Sequence, residues 1–188
     1  MRFLKIIIIS ISFTIFNGQI AFPTFQGAQK SHSSSATAEN PLNGNMSSLT
    51  GNNPWNYVLG YRFTPQVNGT ITQLGGYFYG TKTVRLWKVS DQSFLGKVDV
   101  TSNANWSYEN LSSSVSVTAG EQYIVGADLN GSGGVYNPAW NGPHTYGNIL
   151  VHATCYIFDH HSDSYPNWQS TTYVAHMYGV SDITFIPD

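Results

Sequence analysis

The sequence predicts an all-β protein, specifically an antiparallel β-sandwich of jelly-roll type. Apolar and polar residues alternate with a period of two in many short runs, which is the pattern of strands with one buried face. Gly, Asn and Ser turns separate these runs closely, and the chain after residue 57 shows almost no helical periodicity. About eight to ten strands without a helix favour a sandwich, and an up-and-down barrel is the alternative.

Strands are predicted along the chain wherever the alternation is bounded by turn residues. The clearest example is the pair Val115 and Val117, which alternate with Ser and Thr. The Gly75-Gly76 pair interrupts one strand and predicts a bulge. Two long loops are expected at residues 130–148 and 159–170. The predicted strands are residues 57–63, 70–79, 83–89, 94–101, 106–111, 115–117, 123–129, 149–158, 171–177 and 181–187.

The N-terminal segment has the pattern of a secretory signal peptide, which we assign to residues 1–28. A basic start with Arg2 and Lys5 precedes an apolar run over residues 6–16. An uncleaved membrane anchor is the alternative, although a bilayer crossing needs about 20 apolar residues. Residues 29–53 are rich in Ser and Asn and poor in large apolar side chains, so we expect a flexible linker. The predicted folded domain is residues 54–188.

Charge excludes two classes of partner. Without residues 1–28 the chain has six Lys and Arg against ten Asp and Glu, a net charge of −4, and no basic cluster. Nucleic acids and anionic membranes both require a basic patch, so we expect neither as a partner, nor membrane insertion of the mature chain. A protein with this organisation is expected to be secreted, either extracellular or at the cell surface. Its single cysteine, Cys155, precludes an intramolecular disulfide.

Several short phrases, in order and at characteristic spacing, carry a family resemblance. They are Gly60-Tyr-Arg-Phe63, Gly69-Thr-Ile-Thr72, Thr83-Val-Arg-Leu-Trp87, and Val117-Thr-Ala-Gly120 followed by Tyr123-Ile-Val125. From residue 60 to 129, and more weakly from 173 to 185, the chain resembles the domain-of-unknown-function family numbered 4082. The resemblance implies an extracellular β-sandwich module of the kind attached to secreted sugar-processing enzymes or adhesive proteins. It carries no agreed catalytic residues.

Aromatic residues concentrate in the two predicted loops, among amide and carboxylate side chains. Sugars present apolar C–H faces and many hydroxyl groups, so a sugar site combines flat aromatic rings with polar partners. Plugging of the open end of the sandwich is the alternative role for these rings. The predicted ligand-binding residues are the aromatic Tyr136, Trp140, Tyr146, Tyr165 and Trp168, with Asn141, His144 and Asp163 as polar partners.

Acidic loop residues suggest a structural calcium ion, and no other cofactor is expected. Hard oxygen ligands in loops suit calcium, and here they are Asp128, Asn130, Asp159 and Asp163. Zinc is a weaker alternative at residues 159–163, because adjacent histidines on a strand point to opposite faces. A solvated polar turn is the third interpretation.

These observations predict a non-catalytic binding module whose partner is a glycan. A structural or adhesive surface protein that binds an extracellular protein is the first alternative. A small secreted hydrolase is the second, with carboxylates from Asp128, Asp159 or Asp163 and a base from His160 or His161.

Overall fold

A computed structural model describes residues 36–188 of the chain; the predicted signal peptide and the first part of the predicted linker lie outside these residues. The described part contains eleven strands, all paired antiparallel, and no helix, which confirms the predicted all-β sandwich. The strands are β1 (Thr50–Asn53), β2 (Tyr57–Pro65), β3 (Gly69–Lys88), β4 (Phe94–Val117), β5 (Tyr123–Asp128), β6 (Gly134–Asn137), β7 (His144–Tyr146), β8 (Ile149–Phe158), β9 (Ser170–Tyr173), β10 (Met177–Tyr178) and β11 (Ser181–Pro187).

Two sheets form the sandwich. The larger has the order β11-β3-β5-β2-β8-β7, with β4 also paired to β3 and β9 to β8. The smaller has the order β1-β6-β10. The first half of β3 pairs with β11 and its second half with β5. Strand β11 in turn lies against β2 and β5, where the Ser181 hydroxyl donates to the Val125 carbonyl over 3.2 Å.

Strands β3 and β4 are longer than predicted. Five predicted strands merge into these two, which pair along their whole length with three register shifts. None of the shifts falls at Gly75-Gly76, so the bulge predicted there is absent. A Cβ on Gly75 would collide with the Tyr108 ring, and one on Gly76 with the Phe78 ring. These glycines therefore allow close packing within a regular strand, which is the other use of glycine in sheets.

The two faces of β5 pack in two different hydrophobic cores. Every residue of β5 is buried: β2 and β3 cover its edges, and other side chains pack against both of its faces. Its Val125 side belongs to the main core between the layers, while Ile124 packs with Val58, Trp87 and Cys155 in a second, smaller core. Burial raises the pKa of the Cys155 thiol to about 12, which leaves it protonated and unreactive.

Residues 36–53, part of the predicted flexible linker, instead pack against the sandwich. Backbone groups of Glu39 bond Phe185 in both directions, at 2.7 and 2.9 Å, along the free edge of β11. Leu42 is fully buried in the main core, and Thr50 to Asn53 form β1. A few well-placed apolar side chains and backbone bonds thus hold a segment whose composition alone indicated a linker. We call residues 39–46 the strap.

The buried carboxylate of Asp182 anchors the strap. The backbone N–H groups of Leu42 and Asn43 donate to it at 3.1 to 3.3 Å. The hydroxyls of Tyr61 and Tyr108 donate to it at 3.0 and 2.8 Å. Burial raises the pKa of Asp182 to about 6, despite hydrogen bonds that favour the charged form. One carboxylate therefore joins the strap, β2, β4 and β11.

The raised pKa of Asp182 predicts a pH-dependent stability. The folded state binds this proton more tightly than the unfolded chain, whose Asp has an ordinary pKa of 3.8. The resulting stability is fully present below pH 3.8 and is lost as the pH rises through about 6. We expect the unfolding free energy of the wild type, minus that of Asp182→Asn, to fall by about 2 kcal/mol between pH 4 and pH 7. Urea titrations across this range measure it, and a pH-independent difference would contradict it.

Candidate functional site

A cavity lined by aromatic rings lies where the two sheets meet. Its volume is about 340 Å³. Strands β2, β8 and β9 of the large sheet and β10 of the small sheet supply its walls, together with the segment that precedes β2. We call it the aromatic cavity, and its lining residues are Trp55, Tyr57, Leu59, Tyr156, Tyr173 and Tyr178.

Strand pairing brings these residues together. Tyr57 and Leu59 lie two positions apart on β2 and so point to the same face. Tyr156 on β8 is the registered partner of Leu59. Tyr178 comes from β10, which continues into Gly179 with a φ of +56°. A Cβ at Gly179 would collide with Leu59, so glycine is required where β10 approaches β2.

The rings form walls at steep angles rather than one flat surface. Trp55 meets Tyr178 at 83° with centroids 5.7 Å apart. Tyr57 meets Tyr156 at 75° with centroids 6.4 Å apart. Tyr178 also stacks with Tyr173 and with Tyr136, at centroid distances of 5.5 and 5.7 Å. Edge-to-face and offset arrangements are those that aromatic quadrupoles favour, so the walls stabilise one another.

The cavity is electrically neutral. None of its six lining side chains carries a charge at pH 7, and their polar groups are phenol hydroxyls and one indole N–H. Partial burial and a hydrogen bond with Tyr173 raise the pKa of Tyr178 to about 12. The adjacent His176 donates from Nδ1 to the Pro138 carbonyl over 2.9 Å. The arrangement offers apolar ring surfaces with a few hydrogen-bonding groups.

The structure distributes the predicted ligand-binding residues over separate places. Tyr136 alone adjoins the aromatic cavity, through its contacts with Trp55 and Tyr178. Trp140 is only 4% exposed and packs with His144, which in turn contacts Tyr146 and Asn141. A Trp buried to this extent presents no open ring face to a ligand.

The remaining predicted aromatics cover the second core. Tyr165 and Trp168 pack on that core, and Trp168 meets Trp87 edge-on at 5.7 Å. Asp163, the predicted polar partner, accepts from Arg85 and Lys97 instead. The loop from residue 159 to residue 169 is therefore a cover for the large sheet, held in place by aromatic packing and ion pairs.

Sequence reasoning selected none of the six lining residues of the aromatic cavity, because they lie in or beside strands. The predicted strand 171–177 carries Tyr173. Two other predicted strands carried a signal that could be combined: the one from residue 57 begins with Tyr57, and the one ending at 158 carries Tyr156. Antiparallel pairing of these two strands would have placed the rings side by side. The contribution of Tyr178 depends on β10, a two-residue strand with no periodic signal.

A charged cluster surrounds the end of β5. The Arg85 guanidinium pairs with Asp128 at 3.2 Å and Asp163 at 3.0 Å, and Lys97 pairs with Asp163 at 2.7 Å. His161 contacts Asp128 with Nδ1 at 2.9 Å and Asp159 with Nε2 at 3.1 Å. Its hydrogen bond with Asp128 raises the pKa of His161, while the bond from Lys97 lowers the pKa of Asp163.

This cluster bears on the calcium, zinc and hydrolase hypotheses. Each carboxylate proposed as a ligand already faces a protein cation or imidazole, and Asn130 lies exposed in the turn after β5. Residues 36–188 contain no group of three or more His, Cys, Asp or Glu arranged to hold a metal ion. Both nitrogens of His161 contact carboxylates, and His160 contacts the Ser164 carbonyl through Nε2. The observed contacts are those of a structural ion-pair network.

Comparison with known proteins places the chain in one family. The model of the family described as Domain of unknown function (DUF4082) matches residues 45–178. The chain belongs to this family. The match confirms the resemblance seen in the sequence and includes every residue that lines the aromatic cavity. No curated protein matches the chain. Within the described residues, no helix has the length and apolar character needed to cross a membrane.

The buried ion pair at Arg85 predicts an asymmetric response to mutation. Arg85→Ala would leave Asp128, whose side chain is 9% exposed, without its buried cation. We expect a loss of about 3–5 kcal/mol in unfolding free energy. The control Lys97→Ala removes a half-exposed partner of Asp163 and is expected to cost less than about 1 kcal/mol. Urea denaturation of both variants measures the difference, and equal losses would contradict a structural role for the Arg85 pair.

Proposed function

We propose that this protein is a secreted, non-catalytic glycan-binding module and that the aromatic cavity is its binding site. The observation that carries the proposal is the concentration of five aromatic rings around one cavity, with hydroxyl and indole groups among them. Secretion rests on the signal-peptide pattern of residues 1–28.

The lining chemistry matches what a sugar ring requires. Aromatic rings pack against the C–H faces of a pyranose, and phenol hydroxyls both donate to and accept from sugar hydroxyls. Tyr178, like any tyrosine, is protonated at physiological pH and so keeps both capacities. The volume of about 340 Å³ lies within the range of small-molecule sites, which is about 300–1,000 Å³.

Contact with a protein partner is the second candidate. Phe158 is 53% exposed and packs edge-on against Tyr57 of the cavity wall, and Val174 beside Tyr173 is 43% exposed. Exposed apolar side chains that adjoin an aromatic cavity are also typical of protein-binding surfaces. An adhesive protein would use the same region, so the two candidates differ in ligand rather than in place.

The glycan proposal predicts that binding depends on the cavity walls. We expect Trp55→Ala and Tyr173→Ala each to weaken retention on a responsive glycan about 5- to 30-fold, because each removes ring surface worth about 1–2 kcal/mol. Retention of residues 29–188 on a polysaccharide and glycan panel, with and without calcium, gives the measurement. Calcium-dependent retention would support the predicted calcium ion as well.

The control is Phe94→Ala, which removes an exposed aromatic ring on β4, outside the cavity. Circular dichroism and thermal unfolding verify that each variant is folded. Unchanged retention by both cavity variants would remove the site assignment. No retention by the wild type on any glycan, together with specific capture of one extracellular protein that is lost in Trp55→Ala, would replace the glycan with a protein ligand.

A further inference from the structure

We infer that the aromatic cavity takes a single neutral sugar ring at the end of a glycan chain. This inference rests on the proposed function and specifies its ligand. It assigns both a charge class and a binding mode: uncharged rather than uronic, and terminal rather than along an extended chain.

The charge class follows from the lining. A uronic acid would bring a carboxylate among Trp55, Leu59 and four tyrosines, none of which carries a positive charge. Burying an unpaired carboxylate in such surroundings is far more costly than burying a hydrogen-bonded hydroxyl. The aromatic faces add to the discrimination, because their quadrupoles are negative above and below the ring. A neutral ring meets neither penalty.

Cationic side chains lie outside the cavity lining. Two of them, Arg85 and Lys97, belong to the charged cluster, where both are paired with carboxylates. His176 lies beside the cavity, with its ring centroid 5.8 Å from that of Tyr178 and 5.9 Å from that of Tyr173. It is not among the lining residues, and its Nδ1 is held by Pro138. No cation among the lining residues thus offsets the charge of an acidic sugar.

The binding mode follows from the angles between the walls. A site that binds along an extended polysaccharide has aromatic ring faces in one plane, where they can contact successive sugar units. Here Trp55 and Tyr178 meet at 83°, and Tyr57 and Tyr156 at 75°, so the walls turn around a single small volume. Tyr178 is flanked by the stacked rings of Tyr136 and Tyr173, which favours an approach to its edge and hydroxyl. A volume of about 340 Å³ is at the small end of ligand sites.

The experiment uses two series of probes with the chain of residues 29–188. The first comprises methyl glycosides of glucose, galactose, mannose and N-acetylglucosamine, with methyl glucuronide and methyl galacturonide as acidic counterparts. The second comprises oligosaccharides of one to four units of the neutral sugar that binds best. Saturation-transfer NMR detects weak binding, and titration of intrinsic fluorescence gives the dissociation constants. Trp55→Ala serves as the negative variant and Phe94→Ala as the control.

We expect at least one neutral glycoside to bind and its acidic counterpart to bind at least tenfold more weakly. Affinity should change less than about twofold beyond the second unit. Equal affinity for the acidic sugar would overturn neutrality, and a severalfold gain with each unit up to four would overturn terminal binding. Retention of polysaccharides without binding of any monosaccharide or short oligomer would overturn this inference and leave the proposed function intact. Absence of binding to every glycan would overturn both.

Discussion

The hydrogen bonds of β2 to β5 on one side and to β8 on the other hold the strand on which both the aromatic cavity and the Asp182 anchor depend. A strand paired on both edges is fixed in register, and a shift of one residue would move Tyr57, Leu59 and Tyr61 to the opposite face of the sheet. Successive residues of β2 then serve different tasks. Tyr57 and Leu59 line the aromatic cavity, and Tyr61 reaches across the core to Asp182. The cavity and the strap are thus held by one rigid strand.

Two buried carboxylates, Asp128 and Asp182, are stabilised by different kinds of partner. At Arg85 an oppositely charged partner compensates the buried Asp128. At Asp182 no cation is present among its hydrogen-bonding partners, and four donors from backbone and tyrosine take its place. Hydrogen bonds alone compensate a buried carboxylate incompletely, which explains why the pKa of Asp182 stays raised at about 6. Two of these hydrogen bonds come from the backbone of residues 42 and 43, so the groups that stabilise the buried carboxylate also hold the strap against the sandwich.

Local patterning predicted the fold class and most of the strands, because period-two alternation directly reports a half-buried strand. The patterning predicted two strands where β3 is one, because Gly80 interrupts the alternation as a turn residue would. The structure gives Gly80 a φ of +80°, yet the strand continues through it. The aromatic cavity required information of another kind. Trp55 and Tyr178 come together only through the pairing of β10 with β6, and no periodic signal marks a two-residue strand. Aromatic content in loops selected Trp140 and Trp168 instead; Trp140 is buried in the main core, and Trp168 is partly buried against the second core.

What distinguishes the aromatic cavity from aromatic packing elsewhere is that its walls are held by backbone contacts rather than by one another alone. The carbonyl of Trp55 accepts from the Gly131 N–H, and that of Tyr57 from the Leu129 N–H, both at 3.0 Å. A Cβ on Gly134 would come within 2.6 Å of the Trp55 ring, so this wall rests directly on the backbone of β6. Gly179 fixes the opposing wall against Leu59 in the same way. A cavity whose walls are already ordered loses little conformational entropy when a ligand enters. Preorganisation of this kind favours recognition of small, weakly binding groups such as single sugar rings, for which little interaction energy is available to order a flexible site.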